Sequence, residues 1–200
     1  DEMYKHADAI LSVTPYYNKP NQAGLYEHYK AIASASKKPV VLYNVPGRTG
    51  VNLTAETIIR LANDFENIIA IKEADTDMNK MIKVLKGRPE GFLVLSADDA
   101  YVIPQISVGA DGVISVAANA YPKDFCNMVH LALSVKFDVA IPTVYKLADP
   151  IDQLFAEGNP TGVKAALAKL SICKNVLRLP LVPASEKLYA EISKFIEGNM

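Results

Sequence analysis

Short apolar runs alternate with segments of helical periodicity along the first half of the chain. Each run is continuous rather than alternating, which is typical of parallel strands buried on both faces. The runs are residues 9–13, 40–43, 68–71, 92–95 and 112–116. Their separation is that of successive βα units. The pattern therefore predicts an α/β protein with a parallel sheet.

After the fifth apolar run the periodicity becomes helical throughout. We expect four helices there, at about residues 122–134, 138–155, 160–171 and 185–197. Asn159 and Pro160 form a helix start signal, with an N-cap residue followed by proline at the first helical position. The domain organisation we expect is a βα region over 1–134 and a C-terminal helical region over 135–200.

Composition narrows the class of protein. The net charge of −1 argues against a nucleic-acid surface or a polybasic membrane surface. No apolar stretch is long enough to span a membrane, and the polar opening residues predict no signal peptide. Cys126 and Cys173 lie in apolar contexts of helical period, so we expect reduced core thiols and a cytoplasmic location. Metal-ligand spacings, a P-loop and a dinucleotide-binding glycine motif are all missing from the sequence, so a metal site and a phosphate or dinucleotide cofactor have no support in it.

A lysine stands where the third apolar run ends. Burial disfavours its ammonium form, and the neutral amine that results can attack a carbonyl. Lys72 is therefore a candidate Schiff-base lysine. The alternative is a lysine whose stem covers the core while its charge reaches water. Glu73 does not pair with Lys72, because adjacent strand residues point to opposite faces.

Other chemically useful residues also follow strands, and in parallel α/β folds these ends form the active site. Tyr43 is placed to move protons during carbinolamine formation and dehydration. Arg48 has the forked donor geometry that fits a substrate carboxylate. Each residue also has a simpler interpretation: Tyr43 as an amphipathic tyrosine at the rim of the sheet, and Arg48 as a solvated loop residue. Their convergence on one edge favours a site.

Six segments in order resemble the dihydrodipicolinate synthase family of pyruvate-dependent aldolases, from about residue 7 to the end of the chain. They are residues 13–20 (VTPYYNKP), 42–50 (LYNVPGRTG), 69–74 (IAIKEA), 95–99 (LSADD), 109–116 (GADGVISV) and 178–183 (RLPLVP). The resemblance implies a (βα)8 TIM barrel, of which this chain carries about strands 4–8, followed by a C-terminal helical region. The form of residues 43–50 sets the family apart from relatives such as N-acetylneuraminate lyase.

The resemblance also implies roles for individual residues. Lys72 forms the Schiff base with pyruvate, and Tyr43 relays protons to and from it. Tyr17 reaches into the site of a neighbouring subunit. Arg48 binds the carboxylate of aspartate semialdehyde, and the carbonyl of Ile114 faces the bound pyruvate. At the position of Tyr16, regulated family members have a residue that lines an allosteric lysine site; the alternative is a tyrosine that packs in an interface.

The implied reaction condenses pyruvate with L-aspartate 4-semialdehyde through an enamine, in lysine and diaminopimelate biosynthesis. It needs no cofactor, and the implied assembly is a homotetramer formed as a dimer of dimers. Two departures from the family are visible. The glycine-threonine-threonine-glycine motif has no counterpart in this chain, and Ala97 replaces a common glycine. Another aldolase of the same family and a catalytically inert fragment are the alternatives.

Overall fold

The structure, a computed structural model, describes residues 2–199 and separates into two compact units, Asp1–Ile114 and Ser115–Met200. Within the described residues, the strands all belong to the first unit, whereas the second is helical. The predicted domain boundary after residue 134 stays a prediction.

The first unit is built on a five-stranded parallel sheet whose spatial order, β1-β2-β3-β4-β5, follows the chain. The predicted α/β class is thus confirmed. The strands are β1 (Ile10–Val13), β2 (Val40–Asn44), β3 (Ile68–Glu73), β4 (Leu93–Ser96) and β5 (Gly112–Val113). The fifth strand is shorter than predicted. Ser115 accepts a hydrogen bond from the Ala118 N–H at 2.9 Å, which starts a helical turn where the apolar run suggested extended chain.

Six helices accompany the sheet in this unit as far as it is described: α1 (Glu2–Lys5), α2 (Gln22–Ala35), α3 (Pro46–Thr49), α4 (Ala55–Asp64), α5 (Met78–Gly87) and α6 (Val102–Ser107). Side-chain caps fix where the longer ones begin. Asn21, Thr54 and Asp77 each accept a hydrogen bond from a backbone N–H in the first turn of α2, α4 and α5. The apolar faces of these helices pack with the sheet around Leu42 and Ile71, both fully buried.

The two faces of the sheet differ in burial. The helix face carries Leu42, Ile71 and Val94, which are inaccessible to solvent. On the other side, called the open face here, Leu11 is 47% and Leu93 42% exposed. The prediction that the strands are buried on both faces is therefore wrong for the open face, because the helices of the described chain pack against the opposite side.

An irregularity in β3 sets the direction of its last residues. Val40 pairs with Ile68, but Val41 pairs with Ala70, so Ile69 is an extra residue, a β-bulge. Strict alternation from Ile68 would place Lys72 on the helix face. The bulge reverses the phase, and Lys72 lies on the open face.

The second unit is a group of five helices within the described residues: α7 (Ala117–Ala120), α8 (Pro122–Leu133), α9 (Phe137–Phe155), α10 (Thr161–Lys169) and α11 (Glu186–Asn199). Four of them match the predicted helices to within a few residues. The predicted start signal of α10 is displaced by one residue: Pro160, not Asn159, occupies the N-cap position, and the helix begins at Thr161. Gly162 allows α10 to approach the backbone of Leu154 in α9 closely, since a Cβ at this position would overlap the Leu154 carbonyl group.

The two cysteines are free thiols, but they are not core residues. Cys126 is exposed on α8, and Cys173 is half-buried in the segment after α10. We expected both cysteines to be core residues on helices. Cys126 lies on a helix but is not buried, and Cys173 lies outside any helix. Across residues 2–199, every helix is too short or too polar to cross a lipid bilayer.

Candidate active site

Tyr43 and Lys72 meet on the open face at the carboxyl edge of the sheet. Their Cα atoms are direct partners between β2 and β3, so both side chains leave the sheet on the same side. The Lys72 Nζ lies 4.4 Å from the centroid of the Tyr43 ring. This is close enough for a cation–π interaction when the lysine is charged. It also places an amine and a phenol within reach of one small substrate.

Three influences set the acidity of Lys72, and their sum lowers its pKa. Partial burial is the largest, because it disfavours the ammonium form. The Asp99 carboxylate raises the pKa, and the Arg48 guanidinium lowers it. The neutral amine, which is the nucleophilic form, is therefore more populated than in an exposed lysine at the same pH.

Tyr43 is held in its protonated form. Burial raises the pKa of its phenol, and the Arg48 cation only partly opposes that rise. A neutral phenol both accepts and donates a proton, as a group that relays protons requires. Arg48 influences Tyr43 and Lys72 alike, so the structure brings these three predicted residues together.

Arg48 lies on the single-turn helix α3, which the buried Thr49 fixes in place. The Thr49 hydroxyl hydrogen-bonds to the Val45 carbonyl at 3.2 Å and the Val51 carbonyl at 3.1 Å, and contacts the Thr14 hydroxyl at 3.2 Å. Gly50 ends the turn with a φ of 69°, a conformation that favours glycine. The exposed Arg48 side chain thus extends from a rigid base at the rim of the site.

Tyr16 and Tyr17 are exposed to solvent. They follow β1 in an irregular segment, and their side chains are 68% and 93% exposed. Tyr17 has a φ of 66°, which is uncommon for a residue with a bulky side chain. Within this chain, then, the structure does not bring Tyr17 to Tyr43 and Lys72.

Ile114 immediately follows β5 and lies at the same edge of the sheet as Lys72. Its N–H donates to the Ser96 carbonyl at 2.9 Å, which holds its peptide group at the end of β4. Ala97 is tied in the same way, because its N–H donates to the Glu73 carbonyl at 2.8 Å. The ends of β3, β4 and β5 therefore form one continuous edge.

Sequence reasoning assigned no role to two groups beside the site. One is Asp99, which is 4% exposed and acts on the pKa of Lys72; its position in the segment 95–99 was a usable signal. The other is the ion pair between Glu73 and Lys80, whose charged atoms are 2.9 Å apart. Lys80 lies on a helix with no motif around it, so the sequence offered no signal for that pair.

Comparison with known proteins agrees with this geometry. The model of the dihydrodipicolinate synthetase family matches residues 4–199. A 4-hydroxy-tetrahydrodipicolinate synthase from Phocaeicola vulgatus is 54% identical over 176 residues, covering 88% of this chain and 59% of the relative. Another, from Parabacteroides distasonis, is 48% identical over 193 residues, covering 96% of this chain and 65% of the relative. The chain thus spans less than two thirds of the length of these relatives.

A solved structure extends the similarity to three dimensions. The dihydrodipicolinate synthase from Acinetobacter baumannii, complexed with pyruvate, has a TM-score of 0.91 and 41% identity over 96% of this chain and 65% of that one. Sequence and structure together define an α/β protein of the dihydrodipicolinate synthetase type. The chain belongs to the dihydrodipicolinate synthetase family.

Proposed function

We propose that this chain carries the lysine half of the active site of a 4-hydroxy-tetrahydrodipicolinate synthase, which condenses pyruvate with L-aspartate 4-semialdehyde. The observation that carries the proposal is the opposition of Tyr43 and Lys72, with Nζ 4.4 Å from the ring centroid. A half-buried amine beside a neutral phenol suits Schiff-base chemistry.

In the proposed reaction Lys72 attacks the keto carbon of pyruvate, and water leaves to give the Schiff base. Loss of a methyl proton gives an enamine, which attacks the aldehyde carbon of the semialdehyde. The amino group of the semialdehyde then attacks the Schiff-base carbon and displaces Lys72. The sum is one heterocyclic product and one water. Tyr43 carries protons to and from the reacting atoms, and the Ile114 carbonyl faces the pyruvate unit.

Arg48 determines the acceptor in this proposal. Its side chain is exposed at the rim, on a turn that Thr49 holds, and a guanidinium there suits the carboxylate of an entering semialdehyde. The support for pyruvate as the other substrate is its presence in the Acinetobacter baumannii relative. An N-acetylneuraminate-lyase-like acceptor would call for polar groups suited to a sugar instead.

We further propose that the sheet supplies about strands 4–8 of a (βα)8 barrel. The open face supports this, because half-exposed apolar side chains such as Leu11, Val13 and Leu93 are typical of a surface that other strands cover. In this proposal the other strands correspond to the part of the relatives that this chain does not cover. The assays below therefore use the complete polypeptide that carries these residues, and this chain alone serves as the comparison.

The assembly proposed is a homotetramer in the cytoplasm. Tyr17 is 93% exposed and has a φ of 66°, a backbone conformation that costs conformational free energy in a residue other than glycine. Such strained residues are concentrated at functional sites, which supports a role for Tyr17 across a subunit interface. Exposure of Tyr16 beside it leaves that ring accessible to an allosteric ligand. The free thiols of Cys126 and Cys173 suit a reducing compartment.

The proposed activity is tested by which aldehyde acceptor the enzyme uses. Product formation is measured with pyruvate and either aspartate semialdehyde or N-acetylmannosamine, for the natural sequence and for Lys72→Ala. We expect turnover with the semialdehyde only, and none in Lys72→Ala. Turnover with the sugar but not the semialdehyde would replace the proposed activity with that of another family member.

A further inference from the structure

A polar cluster built on three buried residues, Asn44, Glu73 and Lys80, lies directly behind Tyr43 and Lys72, on the helix face of the sheet. We call it the Glu73 cluster; it consists of Asn44, Asn52, Glu73, Asp75 and Lys80. Asn44 and Glu73 are Cα partners at the ends of β2 and β3, one position beyond the partners Tyr43 and Lys72. The cluster and the candidate catalytic pair therefore share two strand ends but occupy opposite faces.

Glu73 is the centre of the cluster and is only 3% exposed. Its Oε1 accepts hydrogen bonds from the Asn44 side chain at 2.7 Å and from the Asp75 N–H at 2.8 Å. Its Oε2 lies 2.9 Å from the Lys80 Nζ. One carboxylate thus ties the end of β2, the loop after β3 and helix α5 together.

Lys80 completes the connections from α5 and is 9% exposed. Besides Glu73, its Nζ donates to the Asn52 side chain at 2.7 Å and to Asp75 Oδ2 at 3.3 Å. The Asn52 oxygen also accepts from Asn44 at 2.8 Å. The buried ammonium is satisfied on three sides, as a buried charge requires.

Side-chain bonds between strands matter most at the strand ends, because the backbone that follows leaves the sheet and no longer makes ladder hydrogen bonds. The Ala74 N–H still donates to the Asn44 carbonyl at 2.9 Å, and beyond this the cluster replaces the ladder between β2 and β3. From this arrangement we propose that Glu73 and Lys80 are positioning residues, which hold Tyr43 and Lys72 at the separation that proton transfer needs. This inference rests on the proposed function.

Removal of the Lys80 ammonium is the substitution that tests the positioning role. Without Lys80, burial of the Glu73 carboxylate has no counter-charge from α5, so the carboxyl takes up a proton or draws in water. Either event weakens its bond from Asn44 and loosens the strand end that carries Tyr43. A displacement of about 1 Å at a reacting group lowers rates by roughly 100-fold in enzymes, whereas binding of a small substrate changes less.

The matched control is a second ion pair of the same unit, at the opposite edge of the sheet. Asp111 precedes β5, pairs with Arg88 after α5, and accepts a hydrogen bond from the Val94 N–H at 2.7 Å. Asp111 joins β4 and β5 as the Glu73 cluster joins β2 and β3, but at the amino ends of the strands instead of the carboxyl ends. Asp111→Asn therefore reports the cost of a weakened ion pair without a change near Lys72.

The experiment measures the rate at which pyruvate and borohydride modify Lys72, together with kcat, the KM for pyruvate and the melting temperature. We expect Lys80→Met to lower the trapping rate and kcat roughly 10- to 100-fold with little change in KM. Lys80→Gln carries the same expectation and stands in if Lys80→Met fails to fold. Lys80→Arg recovers most of the rate, because the cation returns.

The two Glu73 variants provide a graded test. Glu73→Leu removes every acceptor and loses rate as Lys80→Met does. Glu73→Gln keeps an oxygen for Asn44 and the Asp75 N–H, and loses less. Asp111→Asn lowers the melting temperature and leaves the trapping rate at the level of the natural sequence.

Three outcomes overturn the inference. Equal trapping rates in folded Lys80→Met, Lys80→Gln and the natural sequence show that the cluster does not position the pair. An equal loss of rate in Asp111→Asn shows a general stability effect instead. Absence of any Lys72 adduct in the natural sequence overturns the proposed function and this inference with it, whereas the first two outcomes leave the proposed function standing.

Discussion

Lys72 and Glu73 are consecutive residues whose side chains lie on opposite faces of β3. The lysine faces Tyr43 across the open face, and the glutamate pairs with Lys80 at 2.9 Å on the helix face. One strand end thus supplies a candidate nucleophile and part of the structure that holds it. A lysine with a lowered pKa is therefore followed directly by a buried acid.

Removal of the Tyr43 hydroxyl is expected to slow proton transfer but not the packing of the ring. In Tyr43→Phe, kcat falls by about 100- to 10,000-fold, the range for loss of a general acid or base. The melting temperature changes little, because the ring stays against Lys72. Steady-state kinetics and thermal unfolding measure the two effects. A variant with undiminished kcat contradicts the relay role.

The pH dependence of Lys72 modification is expected to move in opposite directions in two variants. Asp99 raises the pKa of Lys72, so Asp99→Asn lowers that pKa further and moves the rate profile to lower pH. Arg48 lowers the pKa of Lys72, so Arg48→Gln raises it and moves the profile to higher pH. Borohydride trapping across a pH series gives both profiles. Shifts in the same direction would contradict the assigned electrostatics.

Two inactive variants are expected to restore each other if Tyr17 serves a neighbouring subunit. Tyr17→Phe lacks the hydroxyl, and Lys72→Ala lacks the nucleophile. When the two proteins are dissociated and reassembled together, hybrid interfaces contain sites with both Lys72 and Tyr17. Activity then appears in the mixture but in neither variant. A mixture as inactive as its components contradicts the shared site.

Close packing of α10 on α9 is expected to make one glycine sensitive to a single methyl group. In Gly162→Ala the new Cβ overlaps the Leu154 carbonyl group, which costs about 1–3 kcal/mol of unfolding free energy, as overpacking does. Gly198→Ala is the control, because a Cβ there meets no atom within 4 Å. Denaturant unfolding compares them, and equal stabilities would contradict the packing described.

The sequence was sufficient to predict the parallel sheet and to place Lys72 and Tyr43 at its carboxyl edge. Continuous apolar runs mark strands, and polar residues directly after them mark the carboxyl edge. It could not predict which face Lys72 occupies, because that depends on the bulge at Ile69, and a bulge has no periodic signal. Lys80 was missed for a related reason. Its partners come from separate segments that only the fold brings together.

Formation of a Schiff base between Lys72 and pyruvate is the step on which the proposed reaction depends. Intact mass after incubation with pyruvate and borohydride, followed by peptide mapping, detects this step on the complete polypeptide and on this chain alone. We expect one reductively attached pyruvate per chain in the complete polypeptide, mapped to Lys72. An adduct on this chain alone as well would show that these strands suffice to activate the lysine. A complete polypeptide that stays unmodified, or is modified at another lysine, would contradict a Schiff base at Lys72.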